Sequence, residues 1–193
     1  MNYVETKSAL EAKRAQISSI RDEMRALQAE VEPQAVDDYE LSGWNGRVRI
    51  SQLFGDKTNL IVIHNMGRGC SSCTMWADGF NGVYDHLASR AAFVVASPDP
   101  VEVQKEFAAG RGWRFPMVSH EGTNFALDMG YRRPGASHGG YRPGVSAFRK
   151  EGNRILRMSD TELGPMDDFC VYYHLMEMIP GGDAGFTPKF NYA

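Results

Sequence analysis

Cysteine is scarce in this chain, with three among 193 residues. So small and odd a number excludes a secreted disulfide scaffold, which needs more cysteines and needs them paired. Basic charge is not in excess either. Lys and Arg number 21 against 24 Asp and Glu, a net charge of −3, so nucleic acid and anionic membrane surfaces are poor partners. No apolar run approaches the length of a membrane span. The first seven residues, ending at Lys7, are not followed by the apolar stretch of a signal peptide, so the expected compartment is the cytoplasm. Internal repeats are absent as well. What the chain does have, 42% hydrophobic and 23% charged residues, suits one ordinary domain with a sizeable core plus an appendage.

The appendage lies at the start. Leu10, Ile17, Ile20, Met24, Leu27 and Val31 recur at intervals of 7, 3, 4, 3 and 4, the seam of a two-helix packing. Pro33 ends the run. This pattern fits either an amphipathic helix lying on its own domain or a dimerising arm, and residues 1–35 are assigned to it. After Tyr39 the period changes. Tyr39-Glu40-Leu41 and Arg47-Val48-Arg49-Ile50 flank Gly43-Trp44-Asn45-Gly46 as a short hairpin. Leu60-Ile61-Val62-Ile63-His64 and Ala92-Phe93-Val94-Val95-Ala96 read as strands buried on both faces. A helix is expected over residues 74–87, weakened by Gly79 and Gly82, and another from Pro100 to about residue 109.

Further on, Phe115-Pro116-Met117-Val118-Ser119 is extended, and residues 124–129 form a helical turn. A glycine-rich loop spans residues 135–144 and holds Ser137, His138, Tyr141 and Arg142. Val145-Ser146-Ala147-Phe148 and Arg154-Ile155-Leu156 make a second hairpin, residues 166–178 the last helix, and residues 180–193 an irregular tail that reaches back through Phe186, Phe190 and Tyr192. Strand, helix, strand, helix, hairpin, helix is the thioredoxin-like order: an α/β fold with a central mixed sheet flanked by helices, here over residues 36–179.

The chemistry-bearing motif is Cys70-Ser71-Ser72-Cys73, at the junction of the first buried strand and its helix. A thiolate attacks disulfides, and a helix N-terminus lowers a cysteine pKa through its free N–H groups and dipole. Arg68 adds positive charge if it folds toward the sulfur. The two-residue spacer lets one thiol resolve a mixed disulfide made by the other, so Cys70 is the expected nucleophile and Cys73 the resolving thiol. The same spacing is also half a zinc site, which Cys170 with His64, His120 or His138 completes only if folding brings them together. Cys170 itself, within Phe169-Cys170-Val171-Tyr172-Tyr173, reads as a packing residue. His64, six residues before Cys70, is either a proton partner for the second thiol or a core histidine with one hydrogen bond.

The arrangement resembles the thioredoxin superfamily, in which a CxxC follows the first core strand, a buried carboxylate sits six positions earlier and a cis-proline precedes the strand facing the motif. The resemblance puts His64 at the carboxylate position and Pro143 at the cis-proline position, against Cys70. Pro116 is a weaker competitor. A closer resemblance is to an uncharacterised bacterial family of predicted dithiol–disulfide oxidoreductases. It is carried by Leu53-Phe54-Gly55, Ile63-His64-Asn65-Met66, the stretch from Cys70-Ser71-Ser72-Cys73-Thr74-Met75-Trp76 to Phe80, Gly112-Trp113-Arg114-Phe115-Pro116-Met117-Val118-Ser119 and Asn124-Phe125. The connection from Met66 to Cys70 is short for that family, and the C-terminal third matches it poorly.

These readings give a thiol–disulfide oxidoreductase with catalytic Cys70, Cys73 and His64. Pro143, Arg142 and Trp76 are its substrate-binding residues, no cofactor or metal is needed, and a protein or small-molecule thiol or disulfide is the partner. A homodimer through the leader helix is a further expectation. Two alternatives stand beside it. One is a non-catalytic binding or assembly protein on the same scaffold. The other is a peroxiredoxin-like peroxidase, whose peroxidatic cysteine follows a Thr or Ser by three positions, with a Pro four earlier still. Gly67 and Ile63 precede Cys70 at those distances, and Cys70 and Met66 precede Cys73, so that motif is missing.

Overall fold

The structure is a computed structural model that describes residues 2–136 and 139–192. The chain divides after Gln34 into two compact units, residues 1–34 and 35–193.

The first unit is helix α1 (Tyr3–Ala29). Its start is fixed by a capping box: the Asn2 side chain accepts from the Glu5 N–H, and the Glu5 carboxylate accepts from the Asn2 N–H, each at 3.0 Å. The helix by itself buries none of its apolar seam.

The second unit is built on an eight-stranded sheet. In chain order its elements are β1 (Gln34–Val36), β2 (Glu40–Gly43), β3 (Gly46–Arg49), α2 (Ile50–Leu53), β4 (Asn59–His64), α3 (Ser71–Arg90), β5 (Ala92–Ser97), α4 (Val101–Arg111), β6 (Met117–Ser119), α5 (Phe125–Asp128), β7 (Gly144–Glu151), β8 (Arg154–Glu162) and α6 (Val171–Met176). The spatial order is β1-β8-β7-β4-β5-β6-β2-β3. Helices α3 and α4 are the crossovers that make β4, β5 and β6 parallel, whereas β7 runs antiparallel to β4 and pairs Gly144 with His64. The mixed sheet flanked by helices is the thioredoxin-like arrangement expected from the element order.

Alternation along the central strands sorts the core into two layers. Leu60 and Val62 of β4, with Val94 and Ala96 of β5, face Ile50, Phe54, Phe125 and Tyr131. Ile63, Phe93 and Val95 face Trp76, Ala77 and Phe80 of α3, together with Ala108, Cys170 and Tyr173. Packing of that second face holds α3 together despite its two glycines, and its 20 residues exceed the expected 14 at both ends. Asp78 ties α3 to the end of α4: it accepts from the Trp113 indole N–H at 2.8 Å and is paired with the Arg111 guanidinium.

Three boundaries differ from expectation for local reasons. The last helix starts at Val171 because the Asp167 carboxylate gathers the N–H groups of Gly164, Phe169 and Cys170 into a turn, and Met166 has a positive φ of 70°. Strand β8 runs on to Glu162 because its polar half is paired with β7 rather than buried. Pro100 caps α4 instead of occupying its first turn. The tail does reach back: the Phe190 carbonyl accepts from Arg111 at 2.8 Å, and the Phe186 ring lies 4.4 Å from that of Tyr172. Among the described residues, no helix is long and apolar enough to cross a membrane.

Candidate active site

The loop from β4 to α3 is held from below by β5 and its following turn. Asn65 continues the ladder by donating its N–H to the Ala96 carbonyl at 2.9 Å, and its side chain accepts from the Gly67 N–H at 2.7 Å. Asp99 then accepts from the Arg68 N–H at 2.7 Å. Gly67 is required twice over. Its φ is +100°, and a Cβ there would lie 3.0 Å from both Asp99 carboxylate oxygens.

This loop delivers Cys70 as the N-cap of α3. Its Sγ accepts from the Cys73 N–H at 3.0 Å, while its carbonyl accepts from the Thr74 N–H and hydroxyl, each at 3.0 Å. The thiol thus takes the part that a Ser or Asp oxygen plays at other helix starts. Its pKa falls from 9.0 to about 7: the Cys73 thiol donates to it, burial opposes, and the backbone N–H groups of Cys73 and Ser72 add to the stabilisation. Cys73 moves strongly the other way, held protonated by that same bond to Cys70, by burial and by the neighbouring negative charge. Cys70 is half-buried, Cys73 is 2% exposed, and both thiols are reduced. The lowering of the Cys70 pKa comes from the hydrogen bonds of Cys73 and of the first turn, and Arg68, which would add charge only by folding toward the sulfur, is not among its causes.

His64 belongs to a different environment. It shares the parity of Leu60 and Val62, so its ring lies on the sheet face opposite α3, stacked on Tyr131 at 3.8 Å with Nε2 3.0 Å from the Ser146 hydroxyl. Burial, together with the charges of His120 and Arg157, holds its pKa well below the usual imidazole range. It is not among the groups that perturb either thiol of the pair. The structure therefore does not bring the expected proton partner to the thiols, because strand alternation turns the ring away from α3.

Pro143 directly precedes Gly144, the residue opposite His64, and so lies at the end of the sheet from which the Cys70 loop leaves. No peptide bond among the described residues is cis, so Pro143 is trans where the thioredoxin resemblance implies cis. Its carbonyl accepts from Leu163 N–H at 3.0 Å. Gly144 is a close approach: an added Cβ would meet the Tyr131 ring at 1.9 Å. Arg142 is exposed and its guanidinium pairs with Glu162 at 2.7 Å. Trp76 is 3% exposed and packs in the core beneath α3.

Cys170 lies on the α3 side of the sheet, away from His64. Among the described residues no cluster of three or more His, Cys, Asp or Glu is placed to hold a metal ion, and His138 lies outside the described residues. The residues missed in the sequence are Asn65, Asp99 and Thr74. Each is an ordinary turn or cap residue whose partner is set by the fold, and the Ser-Pro-Asp-Pro run at residues 97–100 signals only a turn.

Residues 1–189 match the model of a family described as a bacterial protein of unknown function, DUF899. The chain belongs to that family. No curated protein matches it. Among solved structures, the crystal structure of peroxidoxin BcpB from Mycobacterium tuberculosis is similar, with 23% identity, a TM-score of 0.58, and coverage of 67% of this chain and 84% of that one. A peroxiredoxin Q from Xanthomonas campestris has 21% identity and a TM-score of 0.53, with 65% and 80% covered. Reduced Prx3 of Vibrio vulnificus in complex with hydrogen peroxide has 15% identity and a TM-score of 0.54, with 71% and 87% covered. Likeness at these identities shows a shared thioredoxin-like fold and nothing finer.

Proposed function

We propose that this protein is a dithiol–disulfide oxidoreductase. The observation that carries the reading is the asymmetry of the pair: Cys70 accepts hydrogen bonds at the start of α3 and ionises near neutral pH, whereas Cys73 keeps its proton beneath it. The Cys70 thiolate attacks one sulfur of a substrate disulfide, forming a mixed disulfide and releasing the first thiolate, which takes a proton from solvent. The negative charge beside Cys73 is then gone, and with it one cause of that thiol's raised pKa. Cys73 loses its proton and attacks Cys70 Sγ, and the second substrate thiolate leaves. The protein dithiol is oxidised to a disulfide and the substrate disulfide is reduced to two thiols. Pro143 and Arg142 are proposed to flank the approach to Cys70.

Mass analysis of the full-length protein treated with oxidised glutathione tests this. Cys73→Ser should accumulate one glutathione on Cys70, Cys70→Ser should accumulate none, and the unaltered chain should pass to an internal disulfide. Absence of an adduct in Cys73→Ser overturns the reading. The peroxiredoxin neighbours favour a second use of the same thiolate, in which a peroxide O–O bond is cleaved, water or alcohol leaves, and Cys73 resolves the sulfenic acid as a disulfide plus water. Oxidation of Cys70 by hydrogen peroxide much faster than by glutathione disulfide selects that chemistry.

An assembly role for the leader helix rests on a separate observation, the apolar seam that α1 cannot bury within itself. We propose that it pairs two copies of the chain. Analytical ultracentrifugation should show a dimer that Ile17→Glu converts to a monomer; a monomeric unaltered chain refutes the pairing.

A further inference from the structure

Between the Cys70 loop and α4 lies a groove of about 300 Å³, at the small end of the range for small-molecule sites. Arg68 lines it from the loop, Val103, Glu106 and Phe107 line it from α4, and Arg111 and the tail residue Phe190 complete it. A turn fixes its place relative to the thiol. The Cys70 N–H donates to the Gly67 carbonyl at 3.1 Å, with Arg68 and Gly69 as the two residues between. Arg68 is thus within about 7 Å of Cys70 along the backbone. Arg68 and Phe107 also line the small space under the loop, together with Asn65 and Thr74, so groove and loop are continuous.

Charge narrows the occupant. Arg111 is already taken, by the Asp78 carboxylate and by the Phe190 carbonyl at 2.8 Å. Lys105, next to Glu106 on α4, pairs with Glu102 at 3.0 Å instead. The side chains of Arg68 and Glu106 make no hydrogen bond or ion pair among the described residues, with each other included. One free cation and one free anion therefore line the same groove without meeting. That arrangement complements a ligand carrying both signs, and Phe107 offers apolar surface for a short hydrocarbon stem. We propose that the groove seats the α-amino-acid end of a low-molecular-weight disulfide, its carboxylate on Arg68 and its ammonium on Glu106. This rests on the oxidoreductase reading and names a substrate class for it. Cys70 bonds to the sulfur of the seated half, and the other half leaves as a thiolate that takes a proton from solvent. Cys73 then displaces the seated half as the second thiol.

Rates of internal disulfide formation in the full-length reduced protein test the assignment. Oxidised glutathione is the disulfide bearing amino-acid ends, bis(2-hydroxyethyl) disulfide is the neutral one, and the readout is the ratio of the two rates. Arg68→Gln and Glu106→Gln should each lower that ratio about threefold, the size of one exposed charge pair. Glu106→Gln is decisive because oxidised glutathione is a net anion. Removing a nearby negative charge speeds an anion if only the protein's field acts, so slowing requires contact with the ammonium. Glutathione disulfide acetylated on both amino groups keeps its carboxylates and loses the ammonium; Arg68→Gln should slow it and Glu106→Gln should not. A glutathione ratio that holds in either variant, or rises in Glu106→Gln, overturns the proposal while the neutral disulfide still oxidises the pair. If neither disulfide oxidises the pair, the oxidoreductase reading falls and this inference falls with it.

Discussion

The pH dependence of Cys70 alkylation follows directly from its place at the start of α3. With a pKa of about 7 instead of 9.0, roughly half of Cys70 is thiolate at pH 7, against about 1% of an ordinary thiol, an advantage of about fiftyfold. Intrinsic nucleophilicity falls with pKa, with a Brønsted slope of about 0.45, so the same displacement costs about eightfold. The net expectation is a rate about sixfold above that of an unperturbed thiol at pH 7. Above about pH 8 the order inverts, because Cys70 is near its plateau while the ordinary thiol is still ionising. Partial burial of Cys70 scales every rate alike, so the midpoint is the decisive quantity. The assay is iodoacetamide labelling of the full-length reduced protein from pH 5 to 10, with the Cys70 peptide quantified by mass spectrometry. A rate that climbs through pH 9 without levelling near 7 refutes the argument that the first turn of α3 stabilises the thiolate. In Cys73→Ala, which removes the thiol donor and keeps the N–H, the midpoint should move up toward 9.0.

The loop and the sheet behind it offer three further tests. Gly67→Ala places a Cβ against the Asp99 carboxylate at a positive φ, and should cost about 1–3 kcal/mol in urea unfolding while displacing the Cys70 midpoint; an unchanged midpoint separates loop geometry from thiolate stability. Gly144→Ala drives a methyl into the Tyr131 ring; a loss of about 3 kcal/mol, or a thermal midpoint lower by roughly 6–12 °C, is expected, and full stability in this variant contradicts the register of β7 on β4. Burial lowers the His120 pKa from 6.5 to about 4. The unfolded chain therefore binds the proton first, and stability present above pH 6.5 is lost as pH falls toward 4, by about 3 kcal/mol. Urea titrations across that window should show a shallower loss in His120→Gln, and an unchanged slope refutes a buried neutral imidazole.

Much of the fold is local information in this protein. The runs at residues 60–64 and 92–96, hydrophobic on both faces, can only be central strands. The spacing from Met75 to Leu87 can only be a helix between them, and together they place Cys70-Ser71-Ser72-Cys73 at a strand-to-helix junction. Sequence spacing also ranked the two thiols, because the first cysteine of such a pair meets the free N–H groups of the helix. Other features depend on partners distant in the chain. Asp99 supports the loop from 31 residues beyond Arg68, and no short-range signal names it.

His64 shows where spacing misleads. Six residues before Cys70 sounds close, but the period of two along β4 turns its ring to Tyr131 and Ser146 on the other face. Trp76, expected to bind substrate, is instead buried by the phase of α3 in the core beneath the helix. The sequence by itself determined the strand and helix periods and the presence of a thiol pair at a helix start, because those are properties of neighbours. Which faces met, which donors went unpaired and what shielded Cys73 were decided by tertiary packing alone, since each depends on residues that only the folded sheet brings together.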